Sequence, residues 1–222
     1  HETLAEIAAE YPGSLCLRDG ADGPLPSALY DFPLPDLSLA QPDGITQQPE
    51  ILVDQVVAIL FTSGSTGRPQ AQRKTWGKLV ANVQAGAQAL GLAHMPQHIV
   101  ATVPAQHSYG FESSFLPALQ AASPFWAGKP FYPQDITAAL AAVPRPRLLV
   151  TTPFHLATLL DAGIDIPALD GIVSATAPLA PELAVRAETA LGAPLLEIYG
   201  STESGQLASR RPTQETAWTL LA

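Results

Sequence analysis

A single cysteine, Cys16, is present among the 222 residues, so the chain cannot form an internal disulfide bond. This excludes a disulfide-stapled fold and indicates a reducing compartment, for which we expect the cytoplasm. No apolar run approaches the roughly 20 residues that a membrane-spanning helix needs, and no signal peptide is recognisable. The sequence also lacks an extended basic stripe, which disfavours a nucleic-acid-binding protein.

Charge is distributed unevenly along the chain. Residues 1–60 contain ten acidic residues and a single basic one, whereas residues 61–222 contain ten of each sign. Four of the basic residues lie close together, at Arg68, Arg73, Lys74 and Lys78. We therefore expect a polyanion to bind near this cluster. Arg210 and Arg211, by contrast, are expected in a solvated loop.

Short apolar runs rich in Val, Ile and Leu recur along the chain and are bounded by Pro, Gly, Ser or Thr. They cover Val56–Phe61, Ile99–Val103, Leu148–Val150, Gly171–Val173 and Leu195–Ile198. Helical patterns lie between them, at Thr75–Leu90, Phe111–Ala121, Gln134–Val143, Phe154–Ala162 and Pro181–Leu191. This alternation predicts an α/β fold of mostly parallel sheets flanked by helices, with the apolar runs as buried parallel strands.

A hydroxyl-rich loop follows the first of these strands. Its two glycines allow the backbone to approach a ligand closely, and its hydroxyl and backbone N–H groups can donate to anionic oxygens. The spacing is neither that of a Walker A loop nor that of the G-x-G-x-x-G dinucleotide fingerprint. A flexible turn between strand and helix is the alternative interpretation. The residues of this candidate phosphate-binding loop are Thr62, Ser63, Gly64, Ser65, Thr66 and Gly67.

The loop and the three residues after it read Thr-Ser-Gly-Ser-Thr-Gly-Arg-Pro-Gln. This resembles the Thr-Ser-Gly-Ser/Thr-Thr-Gly-x-Pro-Lys signature of the adenylate-forming ligases, which include acyl-CoA and aryl-CoA synthetases, luciferases and the adenylation domains of peptide synthetases. Gln70 stands where the family has a lysine.

A second motif, Tyr199-Gly200-Ser201-Thr202-Glu203, resembles the family's Tyr-Gly-x-Thr-Glu sequence. The resemblance implies that Tyr199 packs on adenine, that the Thr202 hydroxyl meets the α-phosphate and that Glu203 binds magnesium. These roles suit the side chains, because an aromatic face packs on a base and a carboxylate binds a hard cation.

Two further segments between these motifs match the family. Pro104–Gly110 resembles its Pro-x-x-His-x-x-Gly segment, which implies that His107 lies beside the carboxylate pocket. Ser174–Leu179 resembles its Ser-Gly-Gly-Ala-Pro-Leu turn, which implies that this turn borders adenine and substrate through Ala175, Thr176 and Ala177. Each of these segments follows a predicted strand, and ligands of parallel sheets bind beyond the carboxyl ends of the strands. The four loops are therefore expected to converge on one edge.

The resemblance covers only the middle of the family's large N-terminal portion, so we expect the chain to be a fragment that is inactive alone. Residues 1–92 are predicted to belong to a first α/β subdomain, with a proline-rich connection at Pro24–Pro49 and the phosphate-binding loop. Residues 93–222 are predicted to form a second α/β subdomain, and the family's mobile C-terminal lid domain is expected to be absent from this chain.

For the intact protein, the resemblance implies an AMP-forming acid–thiol ligase. It would use ATP and Mg²⁺ to convert a small carboxylic acid to an acyl-adenylate, then pass the acyl group to coenzyme A or to the phosphopantetheine of an acyl carrier protein. The sequence does not determine the acid, the acceptor or the oligomeric state. One alternative is a non-catalytic nucleotide- or acyl-binding module, which Gln70, Ala175 and Thr176 motivate. A serine hydrolase would need a Gly-x-Ser-x-Gly sequence, which the chain lacks.

Overall fold

The computed structural model describes residues 2–18, 25–33, 50–62 and 70–221. The chain divides into two compact units, His1–Glu50 and Ile51–Ala222. The predicted subdomain boundary between residues 92 and 93 falls inside the second unit and stays a prediction.

The described part of the first unit, residues 2–18 and 25–33, contains one helix and two short strands. Its elements are α1 (Glu2–Glu10), β1 (Leu15–Arg18) and β2 (Tyr30–Pro33). The two strands pair in parallel. Most of the predicted proline-rich connection, residues 34–49, lies outside the described residues.

The second unit contains the remaining elements. Its strands are β3 (Val56–Thr62), β4 (Gln70–Thr75), β5 (His98–Ala101), β6 (Arg147–Thr151), β7 (Gly171–Ser174), β8 (Leu195–Ser201), β9 (Gly205–Arg210) and β10 (Thr219–Leu220). Its helices are α2 (Trp76–Ala89), α3 (Ser108–Gly110), α4 (Leu116–Gln120), α5 (Pro133–Ala142), α6 (Pro153–Asp161) and α7 (Pro181–Leu191). A π-helical segment, Phe111–Phe115, joins α3 to α4.

A six-stranded sheet in the order β10-β9-β8-β7-β6-β5 forms the centre of this unit. Strands β5 to β8 are parallel, and β9 and β10 extend the sheet in antiparallel pairing. The helices between the parallel strands supply the crossovers that parallel pairing requires. The predicted class, an α/β fold with a mostly parallel sheet flanked by helices, is confirmed.

Alternate side chains of the parallel strands enter different cores. One core contains Val100, Leu149, Ile172 and Leu195 together with apolar residues of α5, α6 and α7. The other contains Ile99, Leu148, Val150 and Val173 together with Ala87 of α2. Successive residues of a strand point to opposite faces, so a strand covered on both faces reads as a continuous apolar run. This is why these strands could be recognised from the sequence.

The apolar run Val56–Phe61 forms a strand, but the prediction that it is buried and parallel is wrong. Strand β3 pairs antiparallel with β4 in a separate two-stranded sheet, and its residues are only partly buried or exposed. The partner strand, Gln-Ala-Gln-Arg-Lys-Thr, is mostly polar and has no apolar periodicity. A half-exposed hairpin strand and a buried strand give similar short apolar runs, so the pattern alone could not separate them.

Local signals account for the helix ends. Thr75 occupies the N-cap position of α2 as predicted, but its side chain makes no capping hydrogen bond. In α6, the Thr152 hydroxyl accepts from the backbone N–H of His155, and α7 begins at Pro181 and ends at Gly192 in the left-handed conformation. No helix within the described ranges is long and apolar enough to cross a membrane.

The end of the large sheet differs from two expectations. Strand β8 continues through Tyr199, Gly200 and Ser201, so the tyrosine motif begins on the strand and not after it. Arg210 ends β9, and both Arg210 and Arg211 make ion pairs, with Glu197 and Glu188 respectively. The prediction of a solvated loop is therefore wrong for Arg210, which lies on a strand, whereas Arg211 lies in the loop after β9 with a partly exposed side chain. Partners distant in sequence determine their environment, and local sequence does not indicate them.

Candidate active site

A cleft of about 250 Å³ opens where the parallel strands end. The segments that follow β5 and β7 border it, together with the end of β8 and the end of β3. This is the sheet edge at which α/β proteins bind ligands. Five of the residues predicted for the site line the cleft: His107, Ala175, Thr176, Gly200 and Thr202.

His107 precedes the first helical turn beyond β5. It occupies the N-cap position of α3, with its ring exposed at the cleft. Gly110 completes this segment: a Cβ atom there would lie 2.2 Å from the carbonyl oxygen of Pro104. Only glycine permits that approach, so the Pro-x-x-His-x-x-Gly spacing builds a tight turn that carries His107 to the cleft wall.

Thr176 is held in a strained backbone conformation. Its φ is +79°, a value that a β-branched residue rarely adopts. The preceding residue, Ala175, is buried. Strained residues of this kind persist where the surrounding structure enforces them, and they concentrate at ligand sites. The backbone of this turn therefore adopts a conformation that favours glycine, although the residue at the cleft is a threonine.

The turn between β8 and β9 brings Thr202 to the cleft. A Cβ atom at Gly200 would lie 2.3 Å from the carbonyl oxygen of Gly205, so a glycine is required where the two strands come together. The hydroxyls of Ser201 and Ser204 lie 3.1 Å apart and hydrogen bond to each other. This crosslinked turn fixes the position of Thr202 between them.

Glu203, in the same turn, is exposed and does not line the cleft itself. Hydrogen bonding from the Ser201 side chain, with help from the nearby Lys74 ammonium, lowers the pKa of its carboxyl. Lys74 is buried, and its Nζ donates to the backbone carbonyl oxygen of Glu203 at 3.4 Å. The turn therefore combines an exposed, ionised carboxylate with a buried ammonium that holds the backbone of the same residue.

Tyr199 stands apart from the cleft lining. It is largely exposed and packs against Trp218, with 5.7 Å between ring centroids. The guanidinium of Arg210 lies over the same Trp218 ring at 4.4 Å. The tyrosine ring is thus held by a tryptophan whose own ring packs on a cation, and the exposed part of the tyrosine ring can stack on a planar ligand.

A buried carboxylate supports the turn that contains Ala175, Thr176 and Ala177. Glu197, on β8, accepts a hydrogen bond from the backbone N–H of Leu179 at 3.1 Å. Its other oxygen pairs with Arg210, at 2.8 Å from Nε and 2.7 Å from the terminal nitrogen. Ala177, in contrast, is exposed and does not line the cleft. Glu197 holds the same turn through its hydrogen bond to Leu179.

Glu112 is a cleft residue that the sequence analysis missed. It lies on the π-helical segment and is only 3% exposed, yet its carboxyl borders the cleft. Burial raises its pKa to about 7, and the nearby Lys74 ammonium together with hydrogen bonds from Ser108 and from the Gln206 backbone partly offset that rise. The sequence does contain a signal, because Glu112 is the only charged residue between Lys78 and Lys129.

Tyr109 ties the same segment to the sheet. Its hydroxyl is within 3.1 Å of the carbonyl oxygens of both Thr151 and Val173, at the ends of β6 and β7. Burial raises the pKa of this phenol, so it remains a hydrogen-bond donor at any working pH. The helical segment that carries His107 and Glu112 is therefore fixed to the sheet.

The predicted phosphate-binding loop is described only at its first residue. Thr62 pairs with Gln70 at the end of the β3–β4 hairpin, while Ser63, Gly64, Ser65, Thr66 and Gly67 lie outside the described residues. Leu60 and Phe61, the residues before the loop, line the cleft together with Thr202. The strand that leads into the loop thus borders the same cleft as the second motif.

The side chains near the cleft can be compared with the ligands that a magnesium ion requires. Among the described residues, no group of three or more His, Cys, Asp or Glu side chains could hold a metal. Magnesium at phosphate sites is usually bound through one or two carboxylates, with substrate phosphates and waters as the other ligands. The exposed, ionised carboxylate of Glu203 fits the role of such a carboxylate ligand, with phosphates and waters completing the coordination.

Known proteins match both the sequence and the fold. The profile of the AMP-binding enzyme family matches residues 16–221. A 4-coumarate–CoA ligase from Rhodobacter capsulatus is 33% identical over 190 residues, which cover 81% of this chain and 46% of the relative. An indoleacetate–CoA ligase from Aromatoleum aromaticum is 27% identical over 173 residues, covering 75% of this chain and 33% of the relative.

The fold is similar to that of the O-succinylbenzoate coenzyme A synthetase from Bacillus subtilis in complex with AMP. The TM-score is 0.78 at 19% identity, and the match covers 96% of this chain and 44% of that protein. The chain therefore spans less than half the length of these relatives. Because the family profile matches residues 16–221, nearly the whole chain, the chain belongs to the AMP-binding enzyme family.

Proposed function

We propose that the protein containing this chain is an AMP-forming acid–thiol ligase. A carboxylate oxygen of a small acid attacks the α-phosphorus of ATP, and pyrophosphate leaves. The thiol sulfur of coenzyme A then attacks the carbonyl carbon of the acyl-adenylate, and AMP leaves. Relatives named as CoA ligases support this activity, and they favour coenzyme A over an acyl carrier protein as acceptor.

One observation carries the proposal: segments far apart in sequence meet at a single cleft beyond the parallel strands. The His107 segment, the Thr176 turn and the Thr202 turn all line it, as does the strand end that leads into the hydroxyl-rich loop. An acid and the phosphates of a nucleotide could occupy such a cleft together. Catalysis of phosphoryl transfer consists mainly of this positioning together with stabilisation of charge.

The residues take roles that suit their environments. Thr202 can donate its hydroxyl to the α-phosphate, and Tyr199 offers an exposed face to adenine. We assign the loop Thr62–Gly67 to the β- and γ-phosphates and His107 to the carboxylate end of the acid. Glu203 would hold Mg²⁺, which when bound neutralises phosphate charge. Lys74 lies beside Glu203 and can supply the positive charge that Gln70 does not.

Carboxylate-dependent exchange of pyrophosphate into ATP tests the proposal, using the full-length protein and a panel of aromatic and aliphatic acids. We expect exchange with at least one acid. We also expect losses of about 100-fold or more in Thr202→Val and Glu203→Gln, because both contacts act on the charge that develops during transfer. Thr189→Val and Glu182→Gln are matched controls, because both residues are exposed on α7. A folded protein that shows no exchange with any acid contradicts the proposal.

The second candidate is a binding module that keeps the fold without the chemistry. Two observations favour it: Gln70 replaces a cationic side chain, and Thr176 introduces backbone strain into the substrate turn. This candidate predicts ATP binding without pyrophosphate exchange. For either function we propose a cytoplasmic location, which the single cysteine supports.

A further inference from the structure

Glu112 has an unmet hydrogen-bonding capacity inside the cleft. Its side chain is almost completely buried, and its Oε1 atom has no hydrogen-bond partner among the described residues. Ser108 and the Gln206 backbone interact with the carboxyl, and Lys74 acts on it only through its charge. A buried acceptor without a partner is costly, and such atoms in folded proteins are rare. The proposed activity assigns no role to this atom.

The surroundings of Glu112 resemble a pocket for the body of an organic acid. Leu60, Phe61 and Ile198 supply apolar walls to the same cleft. Among the described residues that line it, Glu112 is the one acidic side chain. Ligand pockets commonly combine apolar walls with a few polar groups that decide which ligand is accepted.

The backbone around Glu112 also has an unusual conformation. The residue lies in a π-helical segment, a conformation that occurs mostly as short stretches within α-helices and frequently at functional sites. Tyr109, three positions earlier, anchors this segment to the ends of β6 and β7. The carboxyl is therefore presented to the cleft from a rigid support, as a recognition group must be.

We propose that Glu112 is a specificity-determining residue whose free carboxyl oxygen hydrogen bonds to a hydroxyl group on the acid substrate. The inference rests on the proposed function and names its substrate class: hydroxy-substituted carboxylic acids.

A hydroxyl group suits Glu112 better than other polar substituents. It can donate to an ionised carboxylate and accept from a protonated one, whereas an N–H group can only donate. Because the pKa of Glu112 is raised to about 7, both protonation states occur near neutral pH. A second carboxylate on the substrate would be repelled by the ionised form of Glu112.

Paired acids that differ by one hydroxyl test the proposal on the full-length protein. The pairs are benzoate with 2-, 3- and 4-hydroxybenzoate, cinnamate with 4-coumarate, and decanoate with 3-hydroxydecanoate. Dissociation constants come from calorimetry, and kcat/KM comes from pyrophosphate exchange. We expect kcat/KM and affinity for the best hydroxy acid to exceed those for its unsubstituted partner by about 10- to 100-fold, the range expected when a buried polar atom is left without a hydrogen-bond partner.

Variants of Glu112 should change this preference selectively. In Glu112→Leu, the preference for the hydroxy acid over its unsubstituted partner is expected to fall to within about threefold of one. The leucine side chain has a similar shape but cannot make the hydrogen bond. Glu112→Gln keeps an acceptor oxygen and should retain part of the preference; it also serves if the leucine variant fails to fold. Glu182→Leu, on the exposed surface of α7, should leave the ratio unchanged.

The two proposals fail in different ways. Absence of exchange with every acid overturns the ligase function, while the binding ratios still decide the role of Glu112. The role of Glu112 is overturned if the wild type binds no acid of the panel or shows no preference within any pair. It is also overturned if a folded Glu112→Leu or Glu112→Gln variant keeps the full preference.

Discussion

Replacing Glu197 by alanine tests how the substrate turn is held. The side chain is 4% exposed, and it accepts from the Leu179 N–H and from two nitrogens of Arg210. The alanine variant leaves a buried N–H without a partner and a guanidinium without its counter-ion. Since Leu179 ends the Ala177-Pro178-Leu179 turn, the same change should loosen the border of the cleft.

The magnitude follows from the burial of the two partners. Removing one member of a fully buried ion pair costs about 3–5 kcal/mol. The Arg210 side chain is 23% exposed, which reduces its part of that cost through hydration. We therefore expect Glu197→Ala to lower the free energy of unfolding by about 3 kcal/mol. Glu197→Gln keeps an oxygen for the Leu179 N–H and should cost about 1–2 kcal/mol.

Urea denaturation followed by tryptophan fluorescence measures these differences, because Trp76, Trp126 and Trp218 all lie in the unit Ile51–Ala222. Asp161→Ala is the control: it breaks an exposed ion pair with Arg186, which should cost less than about 0.5 kcal/mol. The reasoning is refuted if Glu197→Ala destabilises the unit no more than Asp161→Ala does.

Three further predictions concern the cleft. Thr176→Gly removes the strain of a positive φ and should raise the free energy of unfolding by about 1 kcal/mol; unchanged or lower stability in urea contradicts this. Burial raises the pKa of Glu112 from 4.5 to about 7, so the folded state retains a proton that the unfolded chain releases. This contribution to stability is therefore complete below about pH 4.5 and is lost as pH rises through about 7. The loss amounts to up to about 3 kcal/mol of the free energy of unfolding. Urea titrations at a series of pH values measure it, and the Glu112→Gln variant should not show it. Gln70→Lys should tighten ATP binding by about 3- to 10-fold in calorimetry; an unchanged dissociation constant would mean that the side chain faces away from the phosphates.

The large sheet could be predicted from sequence because burial on both faces leaves a direct mark. Runs such as Leu148–Val150 and Gly171–Val173 are continuously apolar, and the structure confirms each as a parallel strand. In the exposed hairpin, β3 has the same kind of apolar run without being buried, whereas β4 and the antiparallel strand β9 have none. β9 combines polar and small residues with one large apolar residue, Leu207, and it pairs antiparallel with β8. Pairing with the preceding strand thus decided the elements that the pattern could not resolve.

The candidate site was predictable where motifs carry it. His107, Thr176 and Thr202 come from separate segments, and all three line the cleft. Glu112 could not be assigned, because an acidic residue in a helical pattern normally lies on a solvated face. It lies buried on the π-helical turn, near the charge of Lys74 and hydrogen bonded by the Gln206 backbone, and only the folded chain brings these groups together.

The most direct test of the central claim is a structure of the full-length protein with a non-hydrolysable acyl-adenylate analogue of its best acid. The account predicts that the analogue spans the cleft, with its adenine on Tyr199 and its phosphate mimic roughly 3 Å from the Thr202 hydroxyl. The hydroxyl-rich loop that begins at Thr62 should face Thr202 across the ligand. An analogue bound elsewhere, or bound in the cleft without contacting Thr202 and Tyr199, would contradict the account.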